Sequence, residues 1–155
     1  MSRRLFSNAK LVGADGSSIV VADGLIADGT GDGGDSYDCT GLTLMPGFID
    51  VHIHGAMGVD VNVADVDGLL EIGKFLAGNG ITSWLPTLVP DSDENYARVI
   101  AAIDRLMEVQ DNEPVARAVG VHYEGAFANE KMCGALRPQF FKKFPANELS
   151  ELPRL

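Results

Sequence analysis

An α/β fold is predicted from three features of the sequence. Apolar strand candidates begin near Gly47, Ile81 and Ala116, 34 and 35 residues apart. A helical pattern follows each of the first two. Residues 3–42 differ in texture, with short apolar runs broken by glycine and aspartate. A strand–helix unit of this length, repeated, implies parallel strands joined by right-handed helical crossovers. A β/α barrel and an open doubly wound sheet both satisfy that pattern. A full eight-unit barrel takes roughly 250 residues. The 155 residues here hold about three units, and "PANELSEL" reads as the opening of a third helix. The expectation is therefore the front portion of a larger protein.

The elements follow in order. In "KLVGADG" and "SSIVVADGLIADG" the dipeptides Asp15-Gly16 and Asp23-Gly24 are hairpin signals between short antiparallel strands. About 40 residues are too few to bury a core of their own, so this preface needs partner strands from elsewhere. "LTLMPGFIDVHIHG" is apolar almost throughout and reads as the first buried strand. In "ADVDGLLEIGKFLAGNG", Leu69, Ile72 and Leu76 fall at helical spacing, and Gly78 and Gly80 end the run. "ITSWLPTLV" is the second strand. "PDSDENYARVIAAIDRLMEVQ" is the clearest helix: Tyr96, Val99, Ile100, Ile103, Leu106 and Met107 share a face, with Asp91 or Ser92 as cap. "ARAVGVHYEG" is the third strand.

Composition narrows the function classes. Hydrophobic residues make up 46%, as in a globular protein, and the formal net charge is −10, with 22 acidic residues against 12 basic. Such a surface repels phosphate backbones and anionic lipid, which argues against nucleic acid and membrane partners. Cys39 and Cys133 form no known spacing motif and fit a reducing compartment. "MSRRLFSNAKLVGADG" holds no apolar stretch long enough for a signal peptide or a span. The expected location is the cytoplasm.

Chemistry concentrates at strand ends. Side chains alternate along a strand, so Asp50, His52 and His54 point to one face, and Gly55 follows at once. His122 and Glu124 repeat the arrangement on the third strand, ahead of Gly125. In a parallel barrel these carboxyl ends form the active-site rim. Imidazole and carboxylate together suit Zn²⁺, Mn²⁺, Fe²⁺ or Co²⁺. A single histidine at a strand end is usually a hydrogen-bonded rim residue, and His122 reads as one ahead of a ligand. Asp50 is open to two roles, orienting a ligand histidine or a structural one at the barrel floor.

These residues carry a resemblance. "GLTLMPGFIDVHIHG" resembles the first barrel strand of the amidohydrolase superfamily. "GITSWLPTLV" and "VGVHYEGAFANEKMCGALRPQFF" narrow it to the N-acetylglucosamine-6-phosphate deacetylases, over nearly the whole chain. The resemblance implies part of a small β-sandwich in residues 1–42 and the first part of a metal-dependent (β/α)8 barrel in residues 43–155. It implies Glu124 as the ligand common to the family, and His52 and His54 as ligands of a second metal position that some members fill. One or two divalent ions follow, with zinc foremost. Ala135 and Leu136 match a substrate-contacting pair, although the family often has histidine at the second position and proline where Ala126 stands. The implied reaction hydrolyses the acetamide of N-acetylglucosamine 6-phosphate to glucosamine 6-phosphate and acetate, in a homo-oligomer when complete. Later ligand histidines and the proton-shuttling aspartate lie on later strands, so no catalytic acid–base residue is expected in this chain, and it should be inactive alone. Residues 125–145 would lie over the site, where Arg137, Lys142 and Lys143 bring positive charge suited to a phosphorylated sugar, or a solvated surface in the case of the lysines. The alternatives are a truncated, non-catalytic module that binds a metal or a partner, and another amidohydrolase such as a dihydroorotase or aminoacylase, against which "HYEGAF" argues.

Overall fold

A computed structural model describes residues 3–29, 33–143, 152, 153 and 155 of the chain, which forms two units, Met1–Pro46 and Gly47–Leu155. The first unit is all β: β1 (Arg3–Ser7), β2 (Lys10–Leu11), β3 (Ile19–Ala22), β4 (Leu25–Ala27), β5 (Asp35–Asp38) and β6 (Thr43–Leu44). Its main sheet has the order β4-β3-β1-β5. Asp23 and Gly24, with φ of 50° and 82°, turn β3 into β4 as the hairpin signal predicts. Asp15-Gly16 makes no such hairpin. It lies in the irregular stretch 12–18, closed by Ala9 N–H to Ser17 C=O at 2.9 Å, while β2 pairs in parallel with β6. A turn dipeptide closes a hairpin only when the strands it joins are neighbours, and here they are not. Among the described residues the buried apolar side chains of this unit are Ala9, Val20 and Cys39.

The second unit is a mixed α/β arrangement built on parallel strands. It runs β7 (Phe48–Ile53), the hairpin β8 (Gly55–Ala56) and β9 (Val59–Asp60), α1 (Val66–Gly78), β10 (Ile81–Leu88), α2 (Asp93–Val109), β11 (Arg117–Ala118) and β12 (His122–Tyr123). Strand β10 is central: it pairs in parallel with β7 along one edge and with β11 and β12 along the other. The third predicted strand is thus two short pieces rather than one run. Gly120 lies between them, yet Val119 N–H still reaches Trp84 C=O at 3.1 Å and Glu124 N–H reaches Leu88 C=O at 2.9 Å. The outer edge of β11 is closed by one side chain. The Gln110 amide accepts Ala118 N–H at 2.8 Å and donates to its carbonyl at 3.1 Å.

Both helices start on side-chain caps. Asp65 accepts Gly68 N–H at 2.9 Å to open α1, and Ser92 accepts Asn95 N–H at 3.2 Å to open α2. Their apolar stripes, Leu69, Ile72 and Leu76 on α1 and Tyr96 to Leu106 on α2, form one core with Trp84 and Leu88 of β10. Alternation along β10 sends Trp84 and Leu88 into that core, with Pro86 buried between them, and leaves Thr87 on the opposite, helix-free face. Trp84 is fully buried, and its Nε1–H donates to Ala116 C=O at 3.1 Å. Among the described residues no helix is long and apolar enough to cross a membrane. The third helix expected from "PANELSEL" falls almost entirely outside the described residues.

Candidate metal centre

The site forms where β7 and β12 end, on the helix-free face. His52 is the penultimate residue of β7, His54 follows that strand directly, and Glu124 follows β12. The three side chains converge on one point although 72 residues separate His52 from Glu124. His54 Nε2 lies 2.9 Å from Glu124 Oε2 and His52 Nε2 lies 3.1 Å from the same oxygen. The two Nε2 atoms are 3.1 Å apart. The imidazoles are 49% and 47% exposed and the carboxylate 34%, so the cluster is open to a solute.

A cation fits this triangle better than protons do. Each Nε2 carries at most one proton, and Glu124 as a carboxylate carries none. If both nitrogens donate to the shared oxygen, their own N–H groups face each other at 3.1 Å. A single ion accepts all three lone pairs at once. Ligand bonds of about 2.0–2.1 Å place donor pairs about 2.9 Å apart at right angles and about 3.4 Å apart at tetrahedral angles. The observed separations of 2.9 to 3.1 Å lie within that interval. Two nitrogens and an oxygen form a borderline donor set suited to first-row divalent metals.

The neighbouring residues hold the cluster in place. Asp50 Oδ1 accepts the backbone N–H of His52 at 3.0 Å, so it acts on the main chain of the ligand strand rather than on an imidazole. The His122 ring packs against the His52 ring at 4.9 Å between centroids, and His122 Nδ1 lies 3.2 Å from Thr87 Oγ1. His122 is therefore near the triangle without being one of its corners. Leu136 packs over Gly125, where φ is +69° and an added Cβ would collide with its Cδ1. That brings Leu136 beside the residue that follows Glu124. Ala135 is exposed on the same segment.

The segment 125–143 contains two short 3-10 turns, Glu130–Met132 and Pro138–Phe140. Two of its positive charges are paired with acids. Arg137 pairs with Asp91 at 2.8 Å and lies over the Phe140 ring, and Lys142 pairs with Asp93 at 2.5 Å. Two of the three cations expected to favour a phosphate are thus neutralised by acids at the start of α2. Burial pushes the Asp91 carboxyl up, but hydrogen bonds from Ser92 N–H, Arg137 and Asn62 outweigh it and hold it below the usual carboxylate value. Asn62 also bridges the end of β10, donating to Val89 C=O at 3.1 Å and accepting Val89 N–H at 3.0 Å. Neither this network nor Thr87 was visible in the sequence, because no spacing rule links Arg137 to Asp91 across 46 residues.

No family model matches the chain. Curated relatives do. The zebrafish N-acetylglucosamine-6-phosphate deacetylase is 32% identical over 157 residues, covering 96% of this chain and 38% of its own. The mouse protein of the same name is 37% identical over 119 residues, covering 74% of this chain and 28% of its own. Among solved structures, the N-acetylglucosamine-6-phosphate deacetylase of Pasteurella multocida superposes with a TM-score of 0.76 at 24% identity, over 93% of this chain and 40% of that one. The chain therefore spans less than two fifths of the length of these curated relatives.

Proposed function

We propose, from the kinship of this chain to the N-acetylglucosamine-6-phosphate deacetylases, that it carries the metal-binding wall of such an enzyme. The observation that supports this best is the convergence of His52, His54 and Glu124 from two repeat units onto one point. In this reading all three are ligands of one divalent ion, foremost zinc, with a second ion position beside it. When bound, the ion lowers the pKa of a coordinated water to roughly 7 and polarises the acetamide carbonyl. Asp50 fixes the main chain of His52, and the His122 ring supports its imidazole from the side. Leu136 and Ala135 line the approach to the acetamide of a phosphorylated amino sugar. The segment 125–143, tied down by Arg137 and Lys142, forms the wall of the sugar pocket.

On this reading residues 43–155 are the first part of a (β/α)8 barrel and residues 1–42 a portion of a small β-sandwich, in a cytoplasmic homo-oligomeric enzyme of amino-sugar catabolism. Glu124 is the carboxylate of the described cluster and serves as a ligand there, so proton transfer to the leaving amine needs a further group. The 155-residue chain alone is therefore expected to bind metal without turnover. The test is zinc titration against a competing chelator, with release of glucosamine 6-phosphate followed in parallel. Glu124→Gln should weaken zinc binding by more than about 100-fold, beyond the effect typical of residues that only support ligands. Equal affinity in wild type and variant refutes the site. Measurable turnover by the wild-type chain overturns the assignment of proton transfer to a group outside it.

A further inference from the structure

Strand β10 separates the two halves of the candidate metal centre. His52 and His54 come from β7 along one edge and Glu124 from beyond β12 along the other. Strands two apart lie about 9.6 Å from each other, yet the ligand atoms meet within 3.1 Å. Something beneath the cluster must fix the offset between β7 and β12.

The backbone ladder alone does not fix it. Pro86 is in the middle of β10 and has no N–H to donate. The register between β10 and β7 shifts at this point, with Trp84 opposite Asp50 but Pro86 opposite Ile53. Two successive β7 amides turn to side chains instead. His52 N–H goes to Asp50 Oδ1 and Ile53 N–H to Thr87 Oγ1, each at 3.0 Å. The same Thr87 oxygen lies 3.3 Å from Leu85 C=O and 3.2 Å from His122 Nδ1. This one fully buried hydroxyl thus touches β7, β10 and β12 on the face where the ligands gather.

We infer that Thr87 is a positioning residue for the metal centre: its hydroxyl pins the histidine-bearing strand against the glutamate-bearing strand across the irregularity at Pro86. The inference rests on the metal reading of His52, His54 and Glu124. Thr87 touches no ligand atom; it acts through the Ile53 amide, one residue from each ligand histidine, and through the His122 ring that packs on His52. A hydroxyl is required at this position, and the methyl is not.

The test uses the full chain with Zn²⁺ and Co²⁺ as probes. Thr87→Val should lower zinc affinity by about 10- to 100-fold, the range for groups that orient ligands. It should also change the visible absorption of the Co²⁺ form, which reports the ligand geometry. Thr87→Ser should retain affinity and spectrum within about threefold, as rescue by the conservative residue. A merely structural Thr87 predicts a lowered melting temperature for Thr87→Val with an unchanged Co²⁺ spectrum and affinity, and that result overturns the inference. If Thr87→Val does not fold, Thr87→Ser decides alone, and a tenfold or greater loss of affinity in it refutes the role of the hydroxyl. Should His52→Ala bind zinc as tightly as wild type, the metal reading itself fails. A wild type sensitive to His52→Ala but indifferent to Thr87→Val refutes only the positioning role.

Discussion

The two faces of the sheet in Gly47–Leu155 are made by alternate residues of one strand and serve different ends. Toward the helices, Trp84 and Leu88 of β10 are fully buried among Leu69, Ile72, Tyr96 and Ile103. Toward the other side, Thr87 lies beneath His52 and His54, which are about half exposed. One face keeps its apolar atoms out of water, with the Trp84 Nε1–H paired to Ala116 C=O. The other presents the donor atoms of His52, His54 and Glu124, which close on one another. On the proposed metal reading, folding free energy comes from the first and ligand affinity from the second, and the two are separable because strand alternation places them on opposite sides.

The largest effect should come from the helix-covered face. Trp84→Ala removes a fully buried indole and leaves Ala116 C=O without its Nε1–H donor. A loss of about 3–5 kcal/mol is expected for such a truncation, read from urea unfolding by far-ultraviolet circular dichroism. A loss below about 1 kcal/mol would mean that stability does not reside on that face.

What the sequence made legible follows the same division. The helix stripes were readable because 3.6-residue periodicity repeats many times, and Leu69, Ile72, Leu76, Val99 and Ile103 are all buried as their spacing requires. The alternation of His52 and His54 at the end of an apolar run placed both rings on one side, and Glu124 was found by the same logic two units later. The parts that failed depend on long-range geometry. Asp15-Gly16 carries the same letters as the turn at Asp23-Gly24, but what decides the outcome is which strands lie next to each other. The partners of Arg137 and Lys142 could not be read from local charge. Thr87 resembles any threonine in a strand; its role arises from the missing amide of Pro86 and a register shift that no local pattern records.

An intermediate effect should appear in acid, at the junction between the open face and the helices. Asp91 holds Arg137 of the 125–143 segment while accepting from Asn62 and Asn95. Its folded pKa is depressed below the ordinary value of 3.8. The contribution to stability is therefore present above that value and disappears as pH falls through the lower, folded one. Asp91→Asn should melt below wild type near neutral pH, with the gap closing as the pH drops below about 4. Melting curves of both proteins from neutral pH into acid provide the check. A gap that widens toward low pH contradicts the assignment, because it would require the carboxyl to be better satisfied when protonated.

The smallest effect on folding should come from the ligands themselves, and it sharpens the contrast between the faces most. His54→Ala removes a side chain that is 47% exposed and lies 2.9 Å from Glu124. In the metal-free chain the change in stability should stay within about 0.5 kcal/mol, as for surface sites away from the core. Zinc alters the comparison. Wild type gains stability by mass action, about 2.7 kcal/mol at a free zinc concentration one hundred times its dissociation constant, whereas the variant has lost a ligand and gains far less. Paired unfolding curves with and without zinc thus separate what His54 does for the fold from what it does for the ion. If the two proteins respond equally to zinc, the metal is held elsewhere; if His54→Ala already unfolds the metal-free chain, the open face contributes to the core and the division between the two faces fails.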